Sequence, residues 1–148
     1  MTDMADLYQE VIMDHNRTPH NFRVMEDATA QVEGHNPLCG DQLTVYVRVA
    51  DGVVKDVSFQ GVGCAISKSS ASLMTDALKG RSVDEAKALY RSFHALITHD
   101  GDADMELLGK LKVFEGVGAF PARVKCATLP WRTADAALTG DADKVSTE

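Results

Sequence analysis

Between Asp41 and Gln60 the chain alternates with a period of two, and no other stretch constrains the fold as much. Leu43, Val45, Val47 and Val49 fall on one face, with Thr44, Tyr46 and Arg48 on the other. Asp51-Gly52 supplies two residues that tolerate left-handed backbone angles, so the chain turns tightly and Val53 to Gln60 returns as a second strand. A hairpin with one apolar face needs a cover. The rest of the chain offers helices for that purpose.

Met4 to Asp14 reads as an amphipathic helix carrying Leu7, Val11 and Ile12 at helical spacing, with Tyr8 beside them. Pro19 stops it, His20 to Glu26 reads as loop, and Ala30 to Glu33 as a short strand before an Asn36-Pro37 turn. Beyond Gly61-Val62-Gly63, helical periodicity runs from Ala65 to Leu78, with Gly80 as its stop. Ser82 and Glu85 form a capping box for a helix to about Leu96. Thr98 to Asp104 is an acidic loop and Glu106 to Val113 a short helix. Gly116, Gly118 and Pro121 then lead into a helix holding Arg123 and Cys126. Pro130 is expected to kink or restart that helix before Trp131 to Leu138. The tail 141–148 is expected to fray. Strands first and helices after imply an α+β fold: a small antiparallel sheet of about three strands packed against helices. Met74, Phe93 and Phe114 read as core. No linker or repeat divides residues 1–148, so one domain is expected, ordered over about 6–138.

A net charge of -7 argues against nucleic acid and anionic membranes as partners and favours a basic partner surface. No apolar run approaches the ~20 residues that span a bilayer. Met1 to Gln9 lacks the apolar stretch of a secretory signal, so a cytoplasmic location with reduced thiols is expected.

The 3 cysteines are an odd number, which does not suit a closed disulfide framework. Cys39 sits in Asn36-Pro37-Leu38-Cys39-Gly40-Asp41, Cys64 in Gly61-Val62-Gly63-Cys64-Ala65-Ile66-Ser67, and Cys126 in Arg123-Val124-Lys125-Cys126. Gly40 allows Cys39 and Asp41 to point toward one spot. Cys64 stands where the second hairpin strand becomes a helix, and the positive end of that helix favours thiolate. Pairing across Asp51-Gly52 brings the two hairpin ends together, and Cys126 needs only to pack over that end of the sheet. Three thiolates and one oxygen or nitrogen would complete a tetrahedral metal site. Taken alone, Cys126 reads equally well as core filler. His35, four residues before Cys39, is a further candidate ligand. His15, His20, His94 and His99 read as surface or helix-end residues.

These motifs together resemble the IscU-like superfamily of iron–sulfur assembly proteins over about Asp6 to Leu138. Two branches differ. Scaffold members hold a nascent cluster on three cysteines and an aspartate and typically have His before the last cysteine. The SufU branch has Lys there, carries an insertion ahead of it, binds zinc and relays sulfur from the desulfurase SufS. Lys125, the match of Arg123-Val124-Lys125-Cys126 to Arg-x-Lys-Cys, and the long Thr98 to Phe120 stretch place this chain nearer SufU. The resemblance implies Zn2+ on Cys39, Asp41, Cys64 and Cys126, with Cys39 also the sulfur acceptor, and a SufS-type cysteine desulfurase as partner. A SUF scaffold complex is a candidate recipient of the sulfur. Arg123, one helical turn before Cys126, is expected to stabilise the anionic site or the transferred persulfide. Two other readings stand beside the sulfurtransferase: a cluster scaffold using the same ligands for iron, and a structural zinc module without chemistry.

Overall fold

The expected hairpin forms with Asp51 and Gly52 both in the left-handed region, at φ 54° and 73°. The computed structural model describes residues 4–37, 39–140 and 144–146, with side chains from residue 9 onward. Leu38 of the first cysteine motif and the side chains of Leu7 and Tyr8 therefore lie outside the described residues, as do 141–143 and 147–148 of the tail.

Strands β1 (Ala30–Asn36), β2 (Asp41–Ala50) and β3 (Val53–Val62) form an antiparallel meander. Helix α1 (Met4–Arg17) precedes them. Helices α2 (Ala65–Leu78), α3 (Val83–Thr98), α4 (Met105–Leu108) and α5 (Pro121–Thr139) follow. Ser82 caps α3 by accepting the Glu85 N–H at 3.1 Å, as the capping box implies. Leu43, Val45, Val47, Val57 and Phe59 are essentially inaccessible and meet Leu73, Met74, Leu129 and Trp131 in one core. Each such side chain contributes about 1.5–3 kcal/mol by leaving water. Phe93 stacks on Trp131 at 4.7 Å and meets Phe114 edge-on at 5.7 Å, which ties α3 and the following segment to α5.

Four features depart from the sequence reading. The sheet is mixed and has four strands, in the order β3-β2-β1-β4, because Lys144–Ser146 of the tail pairs parallel to β1. Strand β1 runs on through Gly34 to Asn36. Its residues there are weak strand formers, but a Cβ at Gly34 would collide with Thr133, so the glycine lets α5 seat directly on the strand. The expected helix of 106–113 is only one turn, α4. Gly109 at φ 53° breaks it, and a 3-10 helix, Gly109–Ala119, continues with Leu111, Val113, Phe114 and Val117 buried. Finally, Pro130 lies inside an unbroken α5. Proline has no N–H for the Cys126 carbonyl four residues back, while the neighbouring Ala127 carbonyl accepts the Ser70 hydroxyl at 2.6 Å. No helix among the described residues is long and apolar enough to cross a membrane.

Candidate metal centre

The β1–β2 connection is a tight reversal. Asn36 faces Asp41 across the ladder, the Cys39 N–H returns to the Asn36 carbonyl at 3.3 Å, and Gly40 takes φ 70°. A Cβ at Gly40 would meet nothing, so its requirement is the backbone angle alone. Cys39 is left exposed on this turn, whereas Asp41, the first residue of β2, is fully buried. The open end of the β2–β3 hairpin then delivers Cys64. Its backbone N–H donates to Asp41 Oδ1 at 2.8 Å, and its Sγ lies 4.0 Å from Asp41 Oδ2.

Cys64 is the N-cap of α2, with its sulfur accepting the Ser67 N–H at 3.4 Å. From above, α5 lowers Cys126 onto the same spot, 2% exposed and 3.0 Å from the Cys39 sulfur. One donor atom each from Cys39, Asp41 and Cys126 lies within 4.8 Å of the others. The sequence-derived set thus converges, with Cys64 joined to it through Asp41.

The electrostatics divide the thiols. A hydrogen bond from the Cys126 thiol, helped by the Ser67 N–H and hydroxyl and opposed by burial and the Asp41 charge, holds Cys64 down to about 6. Cys126 is pushed far up, first by donating to Cys64 and then by burial. Of the two, Cys64 is the more readily deprotonated and Cys126 the more reluctant to lose its proton.

Three soft sulfurs and a carboxylate suit a thiophilic cation. Zn–S distances of ~2.3 Å in a tetrahedron set sulfurs ~3.8 Å apart. The observed 3.0 Å between Cys39 and Cys126 is shorter than that spacing, and Cys39, exposed on its turn, is the side chain with room to shift. These residues fit zinc.

Two residues of the site escaped the sequence reading. The buried Asn36 amide lies 3.5 Å from both Asp41 Oδ2 and Cys126 Sγ, and Ser67 donates its hydroxyl to the Cys64 carbonyl at 3.1 Å. Their positions inside the two cysteine motifs were the available signal. His35 does not join the group. It is exposed, and alternation along β1 sets it on the opposite face from Asn36. Arg123 is exposed on the first turn of α5, its guanidinium 4.6 Å above the Phe120 ring. With Ile12, Met13 and all three cysteines it lines a cleft of about 530 Å³.

Residues 7–127 match the NifU-like N terminal domain family. The zinc-dependent sulfurtransferase SufU of Bacillus subtilis is 39% identical over 130 residues, 88% of each chain. The iron–sulfur cluster assembly scaffold protein IscU of Streptococcus pyogenes is 34% identical over 143 residues, 97% of this chain and 89% of that one. Among solved structures, the putative iron–sulfur cluster assembly scaffold protein for the SUF system from Fervidobacterium islandicum superposes with a TM-score of 0.85. It is 34% identical, with 89% of this chain and 96% of that chain covered. Fold, motifs and matched length agree: the chain belongs to the NifU-like N terminal domain family.

Proposed function

We propose that this protein serves iron–sulfur cluster assembly as a zinc-dependent sulfurtransferase, accepting persulfide sulfur from a SufS-type cysteine desulfurase and relaying it onward. The observation that carries this reading is the inequality of the three clustered thiols. Cys64 is held at a helix cap and Cys126 is buried in a helix, while Cys39 alone is exposed, on a turn at the mouth of a cleft. The similarity to SufU of Bacillus subtilis supports the same reading.

Cys39, Asp41, Cys64 and Cys126 are the proposed zinc ligands. Bound there, zinc would keep the thiols deprotonated without adding redox chemistry of its own. The Cys39 thiolate attacks the outer sulfur of the desulfurase persulfide. The S–S bond of the donor breaks as a new one forms on Cys39, and the desulfurase cysteine leaves as a thiolate. One sulfur atom moves, the donor is reduced as the acceptor is oxidised, and no proton or further reactant is needed. Arg123, on the wall of the same cleft, supplies a positive charge for the persulfide formed on Cys39. Held by regular structure, Cys64 and Cys126 keep the remaining donors in place during the exchange.

The test is peptide mass spectrometry after incubation with a SufS-type desulfurase and cysteine. The added sulfur is expected on Cys39, and Cys39→Ser is expected to stay folded yet fail to accelerate desulfurase turnover. Persulfide chiefly on Cys64 or Cys126 would sink the relay. The IscU-named relative keeps a second reading in play, a scaffold for a nascent cluster on the same residues. Protein purified without added iron distinguishes the two: zinc and no colour for the relay, iron, sulfide and visible absorption for the scaffold.

A further inference from the structure

Helix α1 has a second cavity on a different face. Ile12 and Met13 line the cysteine cleft, whereas Val11 and His15 line a separate open cavity of about 610 Å³, walled on its other side by the 3-10 segment Gly109–Ala119. That volume falls in the range of small-ligand pockets, ~300–1,000 Å³. Its walls combine apolar side chains, among them Val11, Met105 and Val113, with His15, His20, Lys110 and Lys112.

His15 lies in the last turn of α1 and His20 is exposed, as their sequence positions suggested, but both rings are aimed by partners. The Ser72 hydroxyl accepts the His20 backbone N–H at 2.7 Å and lies 2.6 Å from His15 Nδ1. Its single proton has no other acceptor among the described residues, so it goes to His15 Nδ1. The neutral His15 ring then carries its own proton on Nε2, as a donor. His20 Nδ1 donates to Asp76 at 2.5 Å, which fixes that ring beside the first, with centroids 4.5 Å apart.

Among the described residues neither Lys110 nor Lys112 forms an ion pair. Two carboxylates also line the cavity. Asp14 is engaged by Arg17 at 3.5 Å, which leaves Glu115 against two lysines. With Asp76 likewise held by His20, the two lysines are the unpaired cations of the wall among the described residues.

From this we infer that the cavity binds a small organic oxyanion, an apolar body bearing one carboxylate or phosphate group. The body packs on Val11, Met105 and Val113, and the head group accepts from His15 Nε2 and the two lysine ammonium groups. The inference is independent of the sulfur relay, since the cavity shares no lining residue with the cysteine cleft.

Benzoate and phenyl phosphate share one ring and differ only in head group, so they separate the two candidate anions. Each is titrated to about 10 mM, the range of weak millimolar binding, into the zinc-loaded full chain while the imidazole NMR signals of His15 and His20 are followed. At least one probe is expected to shift both signals saturably, and Lys110→Glu, an exposed substitution, is expected to weaken that probe about tenfold or more. No saturable shift with either probe would overturn the inference. So would equal affinity in Lys110→Glu.

Discussion

The sulfur atoms of Cys39 and Cys126 stand 3.0 Å apart across 87 positions of sequence. Contact between an exposed turn and a buried helix means that the two thiols answer differently to removal. Cys126→Ala and Cys64→Ala are each expected to lose zinc and, with it, the stability that zinc adds. At free zinc a thousandfold above its dissociation constant that is about 4 kcal/mol. Asp41→Ala should retain part of the metal, because water can replace an oxygen donor. Zinc stoichiometry after dialysis against a mild chelator, with the thermal midpoint, checks all three. Full retention in either cysteine variant would remove that residue from the site.

Asn36 is buried at the junction of Asp41 and Cys126. Asn36→Ala deletes a donor to both and leaves their polar atoms partly unsatisfied. We expect a loss of about 1–3 kcal/mol in stability and zinc affinity reduced about 10–100-fold. Denaturant melts of the metal-free and zinc-loaded protein separate the two effects. Unchanged zinc affinity would show that the amide acts only in packing.

In the metal-free protein, stability should follow the split between Cys64 and Cys126. Cys64 titrates near 6 when folded, against an ordinary value of 9.0. Its contribution is present above 9.0 and is lost as pH falls toward 6, since the unfolded chain binds the proton first. Cys126 is shifted the opposite way, so its contribution is present below 9.0 and is lost as pH rises further. The thermal midpoint should climb from pH 6 toward pH 9 and then decline. In Cys64→Ser the climb should flatten. A midpoint that falls steadily from pH 6 to pH 9 would contradict this coupling.

Gly63 is predicted to resist even a methyl group. A Cβ there would collide with the Ser67 hydroxyl and press on Asp41 Oδ1 at 3.1 Å. Gly63→Ala should cost about 1–3 kcal/mol and raise the reactivity midpoint of Cys64, because the displaced Ser67 no longer supports its thiolate. Alkylation rate against pH measures it, and a midpoint that stays near 6 would argue against this role.

Local chemistry made much of the fold readable. The Asp51-Gly52 turn, the Ser82–Glu85 box and the limits of α2 each depend on a few adjacent residues, and each forms as expected. Strand β4 was unreadable because three residues become a strand only when β1 presents a free edge. Pro130 misled for a similar reason, since the packing of α5 on the sheet outweighs one missing backbone bond. At the site, the four residues named from the motifs do come together. Asn36 and Ser67 were missed because their significance lies in hydrogen bonds that exist only once strand, cap and helix have met. The cavity behind α1 was equally invisible, as it joins His15 to Lys110 from distant parts of the chain.

The bond from the Cys64 N–H to Asp41 Oδ1 sets the denticity of that carboxylate. With Oδ1 accepting from the backbone, Oδ2, which lies 4.0 Å from the Cys64 sulfur and receives the long Asn36 contact of 3.5 Å, is the oxygen better placed to meet a cation. A two-oxygen grip would have to break or share the 2.8 Å bond. The proposed centre therefore counts four protein donors, only one of them an oxygen, against the six to eight oxygens that calcium takes and the oxygen octahedron of magnesium. An ordinary amide at a strand-to-helix turn thus holds the carboxylate to one oxygen, and a donor set of three sulfurs and one oxygen favours a soft cation over the oxygen-seeking hard ones.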